Sequence, residues 1–416
     1  MKFLPPLLFG LCLSLGVQAA ALPEVVKGEL NLDGWDSRQI PTIPLTGEWR
    51  FYWQQLLTAS ELASHPHSYA QLSIPWNEQL IDGKSFAKTG FATYALHIKL
   101  PAGITEIAFV VPAVFNSYAF FKDDELICKS GRVANNPQDA LPKWQPQTVR
   151  VKVASTEATI VFQISNFENT RGGCAEVMRL GDPEYVIWLN DLYHTTGKLL
   201  ILFCAVLFVA GLVIFYLTGA RSFFHLSLLG LAFMLRFLFS DLYLALDLGI
   251  ELPWLVAAKL EYATVPMIVI AATTFMAGIY PNEFRKFACI FFQVTSAILI
   301  LAIILVPSGG LTPLLFLMQI LGLTLAIYCT VTILRAMVIN RSGVWLNALS
   351  MGVLIVVASY NIYTFIAVID LNRAIIHSGY AIALSLSAFS LIYRTPLRLR
   401  QEESERLRYE DLYQKA

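Results

Sequence analysis

The sequence predicts two architectures in series: an N-terminal antiparallel β-sandwich, then a bundle of seven membrane-spanning α-helices. Residues 21–190 are mixed in polarity, with short alternating runs punctuated by Pro, Gly, Asn and Asp. From Lys198 onward the chain becomes a series of apolar runs of about 20 residues or more, the length a helix needs to cross a bilayer. Composition agrees: 56% of residues are hydrophobic and only 14% charged, against about 25% charged in soluble globular chains. The 30 basic and 30 acidic residues cancel, so there is no electrostatic reason to expect nucleic acid as a partner.

Taken in order, residues 1–20 read as a secretory signal. Lys2 supplies a thin charged start, "FLPPLLFGLCLSLGV" the apolar stretch and "VQAA" the small residues for cleavage near Ala19 and Ala20. An uncleaved anchor is the alternative, but the apolar run is short for a span. Cys12 is apolar filler within it.

The sandwich half, 21–190, offers several strands. "TYALHIKL" (93–100) alternates and stops at Pro101; "EIAFVVPAV" (106–114) is apolar with a break at Pro112. "SYAFFKDDELICKSG" (117–131) reads as a hairpin turning around 122–124. "QTVRVKV" (147–153) alternates strictly, and "ATIVFQISNF" (158–167) is a further strand. Many strands of this length between turn residues indicate a sandwich.

Seven runs follow, at 198–217, 223–246, 254–279, 287–306, 311–334, 343–369 and 374–394. Backbone groups in lipid must be satisfied within the segment, so each is read as a helix. With the sandwich exported, the inner loops carry Arg221, Arg285, Lys286, Arg335 and Arg341, and the tail adds Arg394, Arg398 and Arg400. The outer loops hold Asp247 and Glu251, an uncharged "PSGG", then Asp370 and Arg373. This bias predicts an extracytoplasmic N-terminal half and a cytoplasmic C-terminus. Residues 395–416 form a short juxtamembrane helix, with Glu402, Arg406 and Glu410 at spacings of four. The arginines flanking it suit an anionic inner leaflet.

The segments "LTGEWRFYWQQLL" (45–57), "IPWNEQL" (74–80), "GFATYALHIKLP" (90–101) and "ISNFENTRGG…LG" (164–181), set before seven helices and a charged tail, resemble the bacterial seven-transmembrane receptors with diverse intracellular signalling modules. The resemblance covers nearly the whole chain. It implies a jelly-roll sensor domain, similar to the galactose-binding-like sandwich found beside glycosidase domains. It also implies a multi-pass location in the bacterial inner membrane, with the sensor in the periplasm. The implied activity is reception of a small molecule, a carbohydrate or another, passed inward to a cytoplasmic output. Family members usually carry a kinase or diguanylate cyclase after the last helix. Here 416 residues end in a tail too short to be catalytic, so the output is expected either in a separate signalling protein or in a missing continuation. A homodimer through the tail follows from analogy alone; a solvated helix end is the alternative.

Candidate ligand residues lie in the sandwich. In "ISNFENTRGGC", Asn166 and Asn169 offer paired donors and acceptors and Arg171 a planar cationic fork. A structural turn in which Asn166 ties down backbone groups is the competing reading. Trp49, Trp53, Trp76 and Tyr94 offer faces on which a sugar could stack; aromatics at alternating strand positions are more often core, and Trp76, after Pro75, is best placed for a ligand. In the polar half Cys128 and Cys174 are either a bridge, suited to an oxidising compartment, or separate thiols. Cys204, Cys289 and Cys329 sit in apolar runs as packing residues.

Within the bundle, charged residues are expected to face the interior. Arg236, about midway along the second run, has Asp241 and Glu261 as prospective partners, forming either a switchable or a static network; Lys259 either joins them or snorkels. His225, Asn347, Asn361 and His377 are softer candidates as interhelical glue. No lysine lies in the seventh run, and no HExxH, paired CxxC, Walker loop or GxSxG occurs. Neither a catalytic residue, a metal nor a cofactor is therefore expected. Beside reception, two readings stay open: a transporter or membrane enzyme with an accessory ectodomain, and a scaffold recruiting a signalling enzyme.

Overall fold

The computed structural model describes residues 22–114, 116–174, 176–367 and 372–415, with backbone alone at 365–367 and 395–415. The expected signal segment and Cys12 lie outside the described residues.

The N-terminal half is a sandwich of two sheets. The first contains β1 (Glu29–Asn31), β3 (Glu48–Trp53), β4 (Ser68–Gln71), β5 (Gly90–Lys99), β7 (Ser117–Lys122), β8 (Glu125–Ser130) and β10 (Glu157–Asn166). Its order is β4-β3-β5-β10-β7-β8, with β1 parallel to β5. The second has the order β2-β11-β6-β9, from β2 (Thr42–Pro44), β6 (Glu106–Val111), β9 (Gln147–Lys152) and β11 (Arg179–Gly181). All pairings between these strands other than β1 with β5 are antiparallel.

The alternation visible in the sequence is what builds this core. Trp49 and Phe51 on β3, Tyr94 on β5, Phe109 on β6, Phe120 on β7 and Phe162 on β10 are all buried in one cluster. Phe109 of the small sheet meets Phe120 of the large one at a centroid distance of 5.1 Å, closing the layers on each other. Burying each such ring is worth about 1.5–3 kcal/mol. The predicted hairpin forms between β7 and β8, with Asp123 in the left-handed region at φ 54°. Pro112 ends β6 because it has no N–H for the ladder.

The outer face of the large sheet carries a smaller apolar cluster of Tyr52, Leu57, Leu62, Ala95 and Val161. A 3-10 helix, Ala59–Ser64, covers it, started by a capping box between Thr58 and Glu61.

The C-terminal half is helical: α1 (Pro183–Thr218), α2 (Arg221–Phe239), the short α3 (Leu244–Asp247), α4 (Trp254–Ile279), α5 (Lys286–Leu305), α6 (Leu311–Val338), α7 (Val344–Ala367) and α8 (Arg373–Lys415). Among the described residues seven of these are long and apolar enough to cross a membrane, so the chain is a multi-pass membrane protein.

Three elements depart from the hydropathy reading. The first helix begins at Pro183, well before the apolar run at 198. Asp182 caps it, accepting a hydrogen bond from the Tyr185 N–H at 3.0 Å, and Pro183 opens its first turn. Its polar first turns pack against the sandwich, so hydropathy sees only the remainder. The second run is not one helix: α2 ends at Phe239, Asp241 and Tyr243 take left-handed conformations (φ 60° and 50°), and α3 follows. Apolar composition continues through the break, which hid it. The last run and the tail are one helix, α8, of 43 residues, or about 65 Å at the α-helical rise.

Candidate signalling junction

The stretch "ISNFENTRGGC" begins as the end of β10 and then turns toward the bundle. Asn166 is fully buried. Its amide N–H groups donate to the carbonyls of Lys88 (2.8 Å), Asn169 (3.0 Å) and Arg171 (3.1 Å), and its Oδ1 accepts from the Asn169 N–H at 3.0 Å. Asn169 Oδ1 in turn accepts from the Arg171 N–H at 3.1 Å. The amide nitrogen of Asn166 and the Oδ1 of both asparagines are therefore engaged with backbone. Arg171 makes a two-pronged ion pair with Glu78, Nε and Nη2 to the carboxylate at 2.7 and 2.8 Å.

The two glycines answer to Trp76. A Cβ on Gly172 would stand 2.2 Å from the indole Cε2, and Gly173, at φ 94°, faces the same ring. The Trp76 N–H donates to the Gly172 carbonyl at 2.9 Å, and Asn77 Oδ1 accepts from the Gly172 N–H at 2.8 Å. Asn77 Nδ2 donates to the Thr170 carbonyl at 3.2 Å. "IPWNEQL" and "ISNFENTRGG", far apart in sequence, are one structural unit.

What this unit presents is a contact with the bundle. Ser308 Oγ donates to Glu168 Oε2 at 2.6 Å, and Thr170 Oγ1 donates to Thr312 Oγ1 at 2.7 Å. Ser308 and Thr312 flank the turn between α5 and α6. A second contact joins the halves where Trp144 meets Tyr243 (5.9 Å) and Trp254 (5.6 Å). A third lies along the start of α1, where Arg150 Nη2 reaches Glu184 at 2.7 Å and Thr148 Oγ1 donates to Asn190 at 3.0 Å.

These positions correct the sugar-stacking expectation for the aromatic set. Trp49, Trp76 and Tyr94 are each 0% exposed and belong to the sandwich core. Trp53 is partly buried, with its ring 5.4 Å from Trp76 and 5.0 Å from Phe86. Trp53 meets Trp76 edge-on, Tyr94 packs on Phe51 at 5.0 Å, and burial pushes the Tyr94 phenol well above its ordinary value. Cys128 and Cys174 are separate buried thiols, not a bridge. Burial pushes the Cys128 thiol up to about 12, and Cys174 Sγ donates to the Glu176 carbonyl.

The charged residues of the bundle sort differently from the sequence reading. Arg236 lies in the last turn of α2, not midway along a span. Its Nη1 donates to the Glu261 carbonyl (3.3 Å) and to Thr264 Oγ1 (3.4 Å), tying α2 to α4 without using either expected carboxylate at hydrogen-bond range. Glu261 Oε2 accepts instead from the Tyr243 hydroxyl at 3.3 Å. Asp241 pairs with Arg373 at the head of α8, both oxygens 3.0 Å from Nε, with the guanidinium 5.8 Å over the Tyr193 ring. Lys259 Nζ donates to the Ile304 carbonyl at 2.6 Å.

Beside this pair, His377 Nδ1 lies 2.9 Å from Thr196 Oγ1. Asp247 takes His194 at 2.6 Å and Lys198 at 2.8 Å. Burial opposes the Asp247 charge, but the hydrogen bonds from Lys198 and His194 outweigh it and hold the carboxyl below its usual range. Arg373, His194, Lys198 and Asp247 were missed as site residues. They sit at the ends of apolar runs, where Asp247 and Arg373 serve the orientation reading and His194 and Lys198 carry no motif.

The far end of the bundle holds a second polar knot. Arg394 of α8 is buried: its Nη2 donates to the Tyr280 hydroxyl at 2.9 Å and its guanidinium lies 4.7 Å over that ring. Asn347 of α7 donates to the same hydroxyl at 2.9 Å and to Ser390 at 2.8 Å. Arg394 is thus an interior residue and not part of a lipid-facing basic cluster; the side chains of Arg398 and Arg400 lie outside the described residues. Asn347 and His377 are interhelical, while Asn361 returns to its own helix at Val357.

The matched region is this bundle: residues 194–394 fit the family model described as 7TM diverse intracellular signalling. The seven-helix half of the chain belongs to that family. The first matched residue stands one turn before Lys198 and the last is Arg394, so the match runs between the two polar knots. Solved structures with some similarity are a GH2 β-galacturonidase from Eisenbergiella tayi (13% identity, TM-score 0.25, 34% of this chain and 24% of that one) and a β-glucuronidase from Ruminococcus gnavus (11% identity, TM-score 0.25, 33% of this chain and 28% of that one). The chain spans only about a quarter of the length of these enzymes, and a likeness of this size carries no argument about activity. No curated protein matches the chain.

Proposed function

We propose that this protein is a transmembrane signalling receptor. The sandwich faces the periplasm and senses a small molecule, and the bundle passes a change of packing to a cytoplasmic signalling partner. The observation that carries this reading is the docking of the 168–170 loop on Ser308 and Thr312. Together with a helix α1 that leaves the sandwich with no linker, it supports a sensor whose movements are passed to the bundle. Helix α8 is the natural transmitter. Arg373 fastens it on the sandwich side and Arg394 at the opposite end. A ligand drives such a device only by preferring one of two packings.

Topology is the first test. Cysteines placed at Arg171 and Arg400 are challenged in intact cells with a membrane-impermeant maleimide. The reading expects labelling at 171 and protection at 400 until the membrane is opened; labelling of both, or of neither, ends it. The output arm is tested by copurification from membranes, where a kinase or cyclase is the expected companion.

A further inference from the structure

The large sheet has an outer face, and beside the 3-10 helix that covers part of it lies a groove of about 420 Å³ lined by Val26, Lys27, Glu29, Arg50, His67 and Tyr69. The lining is ordered by the strands. Arg50 on β3 and Tyr69 on β4 are register partners, so both stand on this face. Gly28, at φ 75°, brings the turn that carries Lys27 against the stem of Arg50; a Cβ there would meet Arg50 Cγ at 2.4 Å. His67 packs edge-on to Tyr69 at 5.2 Å and lies 5.6 Å from the Tyr52 ring.

The charges of the groove are unequally engaged. Arg50 Nη2 reaches Glu29 at 3.4 Å, a long contact to a carboxylate that is 69% exposed. Such a pair contributes little and yields readily to a better-placed anion. Lys27 and Arg50 together outnumber Glu29. A guanidinium fork beside an ammonium suits a carboxylate, and the His67–Tyr69 pair offers a ring surface beside it.

We propose that this groove is the sensor's ligand site and that it takes a small carboxylate-bearing molecule, its acid on Arg50 and Lys27 and its flat or C–H face on His67 and Tyr69. This rests on the receptor reading for its purpose. The chain supplies a route from the groove to the junction. β4, which carries Tyr69, ends at Gln71, whose N–H and carbonyl are both held by the Gln79 side chain at 3.0 and 2.9 Å. Gln79 follows directly on Asn77 and Glu78, the residues that hold Thr170 and Arg171. The strand under the ligand therefore runs into the turn that grips the docking loop.

The test uses the full chain in nanodiscs and two matched probe pairs: galacturonate with galactose, and benzoate with benzamide. In at least one pair the acid is expected to bind at least tenfold more tightly than its neutral partner. Arg50→Gln should abolish that preference, and Lys152→Gln, on β9 of the other sheet, should leave it intact. Glu29→Gln, which frees Arg50, should tighten acid binding, a gain that misfolding cannot imitate. Equal binding of acid and neutral members in both pairs, or a preference that survives Arg50→Gln, overturns the proposal. Hydrogen exchange at 166–173 separates the two claims. Acid binding that leaves this segment unchanged counts against the receptor reading and not the groove. Loss of the acid preference removes the groove and leaves reception to its topology test.

Discussion

Replacing Asn166 by aspartate changes one atom's chemistry and almost nothing of its shape. The side-chain nitrogen that donates to the carbonyls of Lys88, Asn169 and Arg171 becomes an oxygen facing three oxygens. The site is fully buried, so water cannot screen the repulsion. Losing two N–H donors, shared among the three carbonyls, at about 1 kcal/mol each, with a buried charge left unmatched, puts the cost at about 3–5 kcal/mol. For a domain near 150 residues this lowers the melting temperature by about 10 °C or more.

The pH dependence gives a second handle on the same variant. Aspartate in this position should have its folded-state pKa raised above the unfolded value. Below the unfolded value both states are protonated and the charge penalty is absent. It grows as pH rises and is complete above the folded value. Acidification should therefore return part of the lost stability. The assay is thermal unfolding of the full chain followed by sandwich tryptophan fluorescence at several pH values, with hydrogen exchange at 164–174. A variant within about 1 kcal/mol of the parent, the low end of a single buried hydrogen bond, would refute the structural role of Asn166 and reopen a ligand-facing one.

Three further outcomes follow from the same geometry. Gly172→Ala should destabilise the sandwich by about 1–3 kcal/mol through overpacking against Trp76, read as a lower melting temperature; an unchanged value would mean the indole has room to move. Asp247 is held below its usual range by Lys198 and His194, so the stability it contributes is present above the ordinary aspartate value and lost as pH falls through its lower folded value. Subtracting the Asp247→Asn pH profile from that of the parent should show this acid-side loss; a difference that does not change below the ordinary aspartate value would count against it. Arg394→Leu should loosen α8 from Tyr280, costing about 2–4 kcal/mol for a buried, hydrogen-bonded cation lost from its partners. Faster exchange at Ser390 and Asn347 checks this, and unchanged exchange there would count against the clamp.

Periodicity made the scaffold legible. Alternation in 93–100 and 147–153 gave β5 and β9, and the apolar runs gave the spans, because both patterns follow from burial along a single element. The breaks in that legibility have the same root. Hydropathy is blind to backbone conformation, so the left-handed Asp241 and Tyr243 that end the second helix passed as part of a run. It is equally blind to a polar helix start, so the apolar run marks α1 only from 198, fifteen residues after Pro183. The aromatic set shows the limit from the other side. Trp76 follows a proline in a loop and looked accessible, yet Gly172 and Gly173, almost a hundred residues away, are what allow the chain to close over it.

The junction is harder to read than the fold because its residues are ordinary. Glu168, Thr170, Ser308 and Thr312 have no spacing, charge run or motif to mark them; only tertiary structure brings them to 2.6 and 2.7 Å. Yet the sequence does record their support. Asn166, Arg171 and the two glycines stand out because each meets a severe local constraint, and Trp76, Asn77 and Glu78 are the partners imposing it. The conspicuous residues are therefore those that hold the loop rigid, and the inconspicuous ones are those that touch the bundle. Under the proposed receptor reading this contact is made and broken between two packings, which calls for modest hydroxyl and carboxylate partners whose hydrogen bonds exchange with water at a net difference of about 1 kcal/mol. The frame behind it must not yield at all, or the displacement would be absorbed before reaching α6. On that argument, stiffness at Asn166 and weakness at Thr170 are two requirements of one coupling.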